Sequence, residues 1–174
     1  FGELSFGTTR EFTFQETAQE TDHMNVSLNT NYYHSDELTI EATGGVDIVQ
    51  TGAYDYWPYG SNVDNFLVYR ADGAIFEAKR TGWEYTFDVR AIWKKQFTPD
   101  IHSTFVTGFQ AYNTIDKRTA GYGTQFPGPG LEVVNAAAMN GAISSFSEVI
   151  EAGYFFQEQI AYQDYAFFTL GLRQ

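Results

Sequence analysis

Met24-Asn25-Val26-Ser27-Leu28-Asn29-Thr30-Asn31-Tyr32 decides the fold. Successive side chains of an extended backbone point to opposite faces, so Met24, Val26, Leu28, Thr30 and Tyr32 share one side, and Asn25, Ser27, Asn29 and Asn31 share the other. One side is dry and the other wet. Leu38, Ile40, Ala42, Gly44, Val46 and Ile48 repeat the pattern against Thr39, Glu41, Thr43, Gly45 and Asp47. Tyr85, Phe87, Val89, Ala91 and Trp93 repeat it again against Glu84, Thr86, Asp88, Arg90 and Lys94. Phe105, Phe109 and Ala111 continue it less cleanly. Further on, Ile150, Ala152, Tyr154, Phe156 and Ile160 alternate with Glu151, Gly153, Gln157 and Gln159; Glu158 breaks the row near a strand end. Ala166, Phe168, Leu170 and Leu172 carry the dry face onward.

The connections alternate in length. Ser35-Asp36-Glu37, Thr98-Pro99-Asp100 and Gln163-Asp164 are short, with Pro99 presetting its own φ and Gln163-Asp164 expected to be the tightest. Loops over about 52–79 and about 117–143 are long and rich in Gly, Pro and Tyr. Short turns at one end and long loops at the other are how outer-membrane barrels are built. Two long loops on the same side require an odd number of strands between each and the next short turn, so residues of about 80–97 make one span, and 64–79 extend a hairpin beyond it. This reading gives an all-β antiparallel up-and-down meander of about seven long strands, a partial barrel forming one segment over 1–174 with its short turns on the periplasmic side. Tyr32, Tyr33, Trp83, Tyr85, Trp93, Phe97, Tyr162 and Tyr165 fall near expected strand ends, where a membrane barrel carries its aromatic girdle. A soluble sandwich alternates in the same way; runs such as 144–162, much longer than the usual strand of about 5–6 residues, favour the barrel.

Composition agrees. Only 18% of the 174 residues are charged, against about 25% in an ordinary soluble domain, and 16 Phe and 12 Tyr stand where a charged coat would be. A net charge of -12, from 22 acids against 10 scattered bases, excludes a nucleic-acid binder, which needs clustered Lys and Arg. No cysteine is present, which removes disulfides, thiolate metal sites and cysteine nucleophiles. No run approaches the roughly 20 apolar residues of a membrane-spanning helix. The chain opens at Phe1 with no leader segment, and Phe168 to Gln174 still reads as strand, so the expectation is a piece of something larger.

Catalytic and metal chemistry find little support. His23, His34 and His102 are far apart, with no HExxH spacing, so the expectation is no metal site. Pairs such as Glu148 with Glu151, or Asp36 with Glu37, arise readily among 22 acids, and nothing singles out a raised-pKa partner for acid/base work. Gly121-Tyr122-Gly123 and Gly128-Pro129-Gly130 lack the Lys-Ser/Thr of a phosphate loop. No enzyme activity and no cofactor are therefore expected. One cluster could bind a ligand: Tyr54, Tyr56, Trp57 and Tyr59 around Pro58, in the first long loop, have flat rings with polar edges suited to stacking on a sugar, or else they pack together and stiffen the loop.

Several blocks together resemble a known family. Gly123-Thr124-Gln125-Phe126-Pro127-Gly128-Pro129-Gly130, Ala136-Ala137-Ala138, Ala152-Gly153-Tyr154-Phe155-Phe156-Gln157-Glu158-Gln159 and Thr169-Leu170-Gly171-Leu172-Arg173, with Tyr85-Thr86-Phe87-Asp88 and Val106-Thr107-Gly108-Phe109-Gln110 upstream, resemble the barrel of SusC/RagA-type TonB-dependent outer-membrane receptors. The likeness covers about 80–174. It implies a barrel of about 22 strands, closed by an N-terminal plug, energised from the inner membrane and importing glycans, peptides or metal chelates, often beneath a lipoprotein lid. The chain has neither plug nor coupling segment, so it is expected to act as a wall segment rather than as a transporter by itself. Two other functions fit the residues: self-assembly of the chain into a tube or filament through sheet edges near Phe6-Gly7-Thr8 and Phe168-Thr169-Leu170, and a small glycan-binding β-protein. Expected partners are other copies of the chain or the rest of the barrel, membrane lipid, and a glycan or peptide substrate, in the outer membrane or outside the cell.

Overall fold

A computed structural model describes residues 13–60, 71–163 and 165–174. Six strands follow one another: β1 (Glu16–Tyr33), β2 (Leu38–Trp57), β3 (Ala74–Thr98), β4 (Ile101–Thr124), β5 (Met139–Tyr162) and β6 (Ala166–Arg173), with one 3-10 turn, Val134–Ala136, before β5. They form one antiparallel sheet in the order β1-β2-β3-β4-β5-β6, each strand beside its sequence neighbours, and among the described residues the sheet does not close. This is the expected meander. The expected first strand, near Phe6-Gly7-Thr8, lies outside the described residues, so the described sheet has six strands where about seven were expected. No helix among the described residues is long and apolar enough to cross a membrane.

The strands are longer than the alternation suggests. β2 runs to Trp57 and β3 starts at Ala74, while β4 runs to Thr124 and β5 starts at Met139. The loops expected over 52–79 and 117–143 therefore shrink to the connections 58–73 and 125–138. Thr51-Gly52-Ala53-Tyr54 and Thr119-Ala120-Gly121-Tyr122 mix small and polar residues on both faces, so the ladder continues where the period-two signal has faded. Trp83 and Tyr85 consequently sit well inside β3, whereas Tyr33, Phe97 and Tyr162 do mark strand ends. The tightest connection is Pro99-Asp100 between β3 and β4; residues 163–165 join β5 to β6. Gln163 adopts φ 50°, and its backbone N–H donates to Asp100 O at 2.8 Å, which ties the two turns together. In the first turn, Ser35 Oγ accepts from the N–H of Glu37 (3.3 Å) and of Leu38 (3.1 Å), the local bonding that makes serine a turn residue.

The sheet divides into two compact units. The first comprises the described residues of 1–23, 49–82 and 116–147 and carries both long connections. Its core is Tyr56, Ile75, Phe126 and Ala137, each under 5% exposed, with Leu131, Val134 and Ala136 packed against them. The 125–138 connection is held down as an ordered cover: Phe126 N–H donates to Asp72 O (2.8 Å), Ala138 N–H to Gln125 O (3.0 Å), and the Tyr56 hydroxyl to Leu131 O (3.3 Å). Two glycines permit this. Gly73 has φ +75°, and a Cβ there would stand 2.9 Å from Trp57 O; a Cβ at Gly123 would stand 2.8 Å from that of Ala137.

The second unit comprises 24–48, 83–115 and 148–174 and carries the short turns. Its polar groups are bonded to one another across strands. Asn25 Nδ2 donates to Asp47 Oδ2 (2.8 Å), Thr43 Oγ1 to Asn29 Oδ1 (2.8 Å), Arg90 Nε to Glu41 Oε2 (2.6 Å) and Gln110 Nε2 to Asp88 Oδ2 (2.7 Å). Its large apolar side chains are left open: Leu28 is 71% exposed, Ile150 69% and Leu172 70%, alongside Met24, Val26, Phe87, Tyr154, Phe156, Phe168 and Leu170. Phe156 stands opposite Leu172, and Ile160 opposite Phe168, in the β5–β6 ladder. Phe109 links Phe87 (ring centroids 6.4 Å) to Tyr154 (4.9 Å). Such a contiguous exposed apolar face marks contact with lipid or with another apolar layer.

Candidate functional site

The first unit holds a cleft of about 970 Å³, bounded by β1 to β5 and by the 3-10 turn before β5. Small side chains make the room: Ala18 on β1, Gly52 and Ala53 on β2, Ala78 on β3, Ala120 and Gly121 on β4, and Ala142 on β5. Polar groups line the space so created. Glu20, Asp22 and Glu77 supply three carboxylates against the single ammonium of Lys79, and Gln50, Asn135 and Asn140 supply amides that can both donate and accept. Asn140 Nδ2 also donates to Ala137 O (3.0 Å), fixing the start of β5 to the turn that carries Asn135.

Tyr54 brings a phenol to the cleft. Burial, and then the neighbouring carboxylates Glu132, Glu16 and Glu77, push its pKa above the ordinary tyrosine value; burial and Glu132 do the same for Tyr56. Both residues lie beyond the stretches whose exposed apolar face suits a membrane. They stay neutral, so Tyr54 can offer a hydroxyl and a ring face but no negative charge. The site is acidic, rich in amides and open. Such a lining suits a flexible polar ligand that carries hydrogen-bond groups along its length and positive charge, and nothing in it is arranged as a nucleophile with its base. Among the described residues, no three His, Cys, Asp or Glu side chains come together as a metal site.

The four aromatic residues singled out in the sequence separate. Tyr54, Tyr56 and Trp57 lie on strand β2 rather than in a loop. Tyr54 and Tyr56, two residues apart, share a face with their rings 6.3 Å apart, but Tyr56 is 3% exposed and its ring is turned edge-on to Phe126 at 6.2 Å. Trp57 takes the alternate position of the strand, and Tyr59, which is exposed, lies beyond its end. Tyr54 alone lines the cleft. The carboxylates and amides around it carry no local signature, because the cleft collects one to three polar residues from each of several segments that are distant in sequence.

Solved structures contain regions of similar fold. The chain is similar in fold to part of RagAB. It superimposes on a structure of the RagAB peptide transporter with a TM-score of 0.82 at 15% identity, covering 92% of this chain and 18% of that one. The RagAB peptide importer in its 'closed-closed' and 'open-open' states gives TM-scores of 0.77 and 0.73, each at 14% identity and with the same coverage. No family model matches the sequence, and no curated protein does. At these identities the likeness to RagAB is one of fold.

Proposed function

We propose that this chain forms part of the wall of an outer-membrane barrel that imports nutrients, of the SusC/RagA-type TonB-dependent kind, with peptides as the cargo its cleft accepts. One observation carries the reading: in the second unit the polar side chains bond to each other across one face while the apolar ones remain exposed. A soluble sandwich covers that apolar face with a second sheet, and the described residues form a single sheet. Bilayer lipid is the solvent that suits it. The β1 and β6 strands flank the described order, and further strands of the same barrel complete them, since unpaired backbone groups cost several kcal/mol each in lipid. Peptide is favoured over glycan or chelate by the lining of the cleft: amides match a peptide main chain, and carboxylates match its ammonium and basic side chains. The RagAB structures, which share the fold, are named for peptide transport.

The test is uptake. Cells producing the protein should accumulate fluorescently labelled basic oligopeptides, and Asn135→Ala with Glu77→Gln should reduce that accumulation while the protein's level in the outer membrane stays constant. Uptake equal to that of cells lacking the protein would remove the reading. Copies of the chain could complete the open edges instead, giving a tube or filament. Intact mass beside particle size separates the two, because a barrel requires one long chain and a polymer many short ones.

A further inference from the structure

The second unit contains a recess on its apolar side that the proposed import role does not use. Trp93 and Phe97 from β3, Ile101 and Phe105 from β4, and Ile160 from β5 wall a groove of about 410 Å³. Two polar side chains open into it. Ser103 is only 7% exposed, and its Oγ donates to Glu158 Oε1 at 2.5 Å. Glu158 stands opposite Leu170 in the β5–β6 ladder, in the row that otherwise reads Tyr154, Phe156 and Ile160. This is the residue that breaks the alternation in the sequence.

A lone carboxylate in an apolar row is costly unless it is paired and hydrogen-bonded. One bond from Ser103 leaves most of its acceptor capacity unused, because an ionised carboxylate has about four lone-pair sites. Among the described residues, no cation pairs with it. The Lys95 ammonium, on the same strand as Trp93 and Phe97, is held by both oxygens of Glu37 at 2.7 and 3.0 Å. The groove thus presents a negative charge and a hydroxyl at the base of a hydrocarbon-lined wall. Its position sets the depth. Ile101 directly follows the Pro99-Asp100 turn and Ser103 lies two residues further on, so the carboxylate sits at the level where aromatic side chains meet lipid headgroups.

We propose that this groove binds one phospholipid bearing a primary ammonium headgroup, such as phosphatidylethanolamine, with its ammonium on Glu158 and an acyl chain along Trp93, Phe97, Phe105 and Ile160. The inference rests on the membrane reading above. Charge complementarity selects the headgroup: the carboxylate repels anionic lipids, and a quaternary ammonium has no N–H to donate to it. Ser103 is a positioning residue that holds the carboxylate toward the groove.

Native mass spectrometry of the purified protein in detergent, supplied with equimolar phosphatidylethanolamine, phosphatidylcholine and phosphatidylglycerol, tests this. One phosphatidylethanolamine adduct should be retained about tenfold better than either competitor, the ratio expected from one charge-assisted hydrogen bond. Glu158→Gln should abolish the preference, Glu158→Asp should keep part of it, and Ser103→Ala should weaken it, with unchanged heat-modifiable mobility showing that each variant still folds. Adducts independent of headgroup, or a preference that survives Glu158→Gln, would overturn the lipid site while leaving the membrane reading intact. A protein that retains no lipid of any headgroup and stays soluble without detergent would overturn both.

Discussion

Leu28→Arg places a guanidinium on the exposed apolar face, and its cost depends on the solvent that face meets. Leu28 lies five residues from Tyr33, the last residue of β1. At about 3.3 Å per residue and a tilt of about 45°, five residues advance roughly 12 Å along the membrane normal. The outward apolar band of a membrane barrel is about 25 Å tall, so Leu28 sits close to its midplane, where Arg costs about 2–4 kcal/mol. In water the same substitution, at a side chain 71% exposed, should change stability by less than about 0.5 kcal/mol. Asn29→Arg is the matched control: it loses the 2.8 Å bond from Thr43 and otherwise places a charge on the polar face, a cost of about 1 kcal/mol. Equilibrium unfolding by urea from phospholipid vesicles measures both. The reasoning requires Leu28→Arg to be the more damaging by at least about 1 kcal/mol; a neutral Leu28→Arg beside a damaging Asn29→Arg would refute the assignment of the faces.

Three further outcomes follow from the same geometry. Phe126→Ala should destabilise the first unit by about 3–5 kcal/mol, because it empties the core between Tyr56 and Ile75, and hydrogen exchange should show the 125–138 cover losing protection. Glu37 has its pKa held below the ordinary 4.5 by its hydrogen bond to Lys95; a depressed folded pKa means stability that is present above the unfolded value and lost as pH falls through the folded one. Lys95→Met should therefore lower stability slightly at neutral pH and leave it unchanged once Glu37 is protonated well below pH 4.5, flattening the acid limb of the stability profile, and an unchanged acid limb would count against the pair. Hydrolase and transferase assays should return background rates, and a robust activity abolished by a single Glu or His substitution would contradict the binding role.

Much of the second unit was legible in the sequence, because each of its strands carries one wet and one dry row. The rows at 24–32, 38–48 and 85–93 fixed strand type, facing and turn positions without reference to anything distant. The first unit was not legible in the same way. Its strands pass through glycine, alanine and tyrosine, which pack as well on either face, so Gly52 to Trp57 read as loop although they belong to β2. The burial of Tyr56 depends on Phe126, seventy residues later by position and brought back by a cover whose fold rests on Gly73 and Gly123. Glu20, Asp22, Glu77, Asn135 and Asn140 become neighbours only when five strands align. Glu158 was visible as a break in a row, but its partner Ser103 was not, since a serine among apolar residues carries no signal of its own.

The central claim is that the sheet crosses a bilayer with its apolar rows outward. The absence of cysteine makes single-cysteine spin labelling clean. Labels placed in turn at 24–32 in membranes, read by collision with oxygen and with a water-soluble nickel chelate, should show a period of two: oxygen access highest at Met24, Val26 and Leu28, and nickel access highest at Asn25, Ser27 and Asn29. Equal nickel access along the whole stretch would contradict the account.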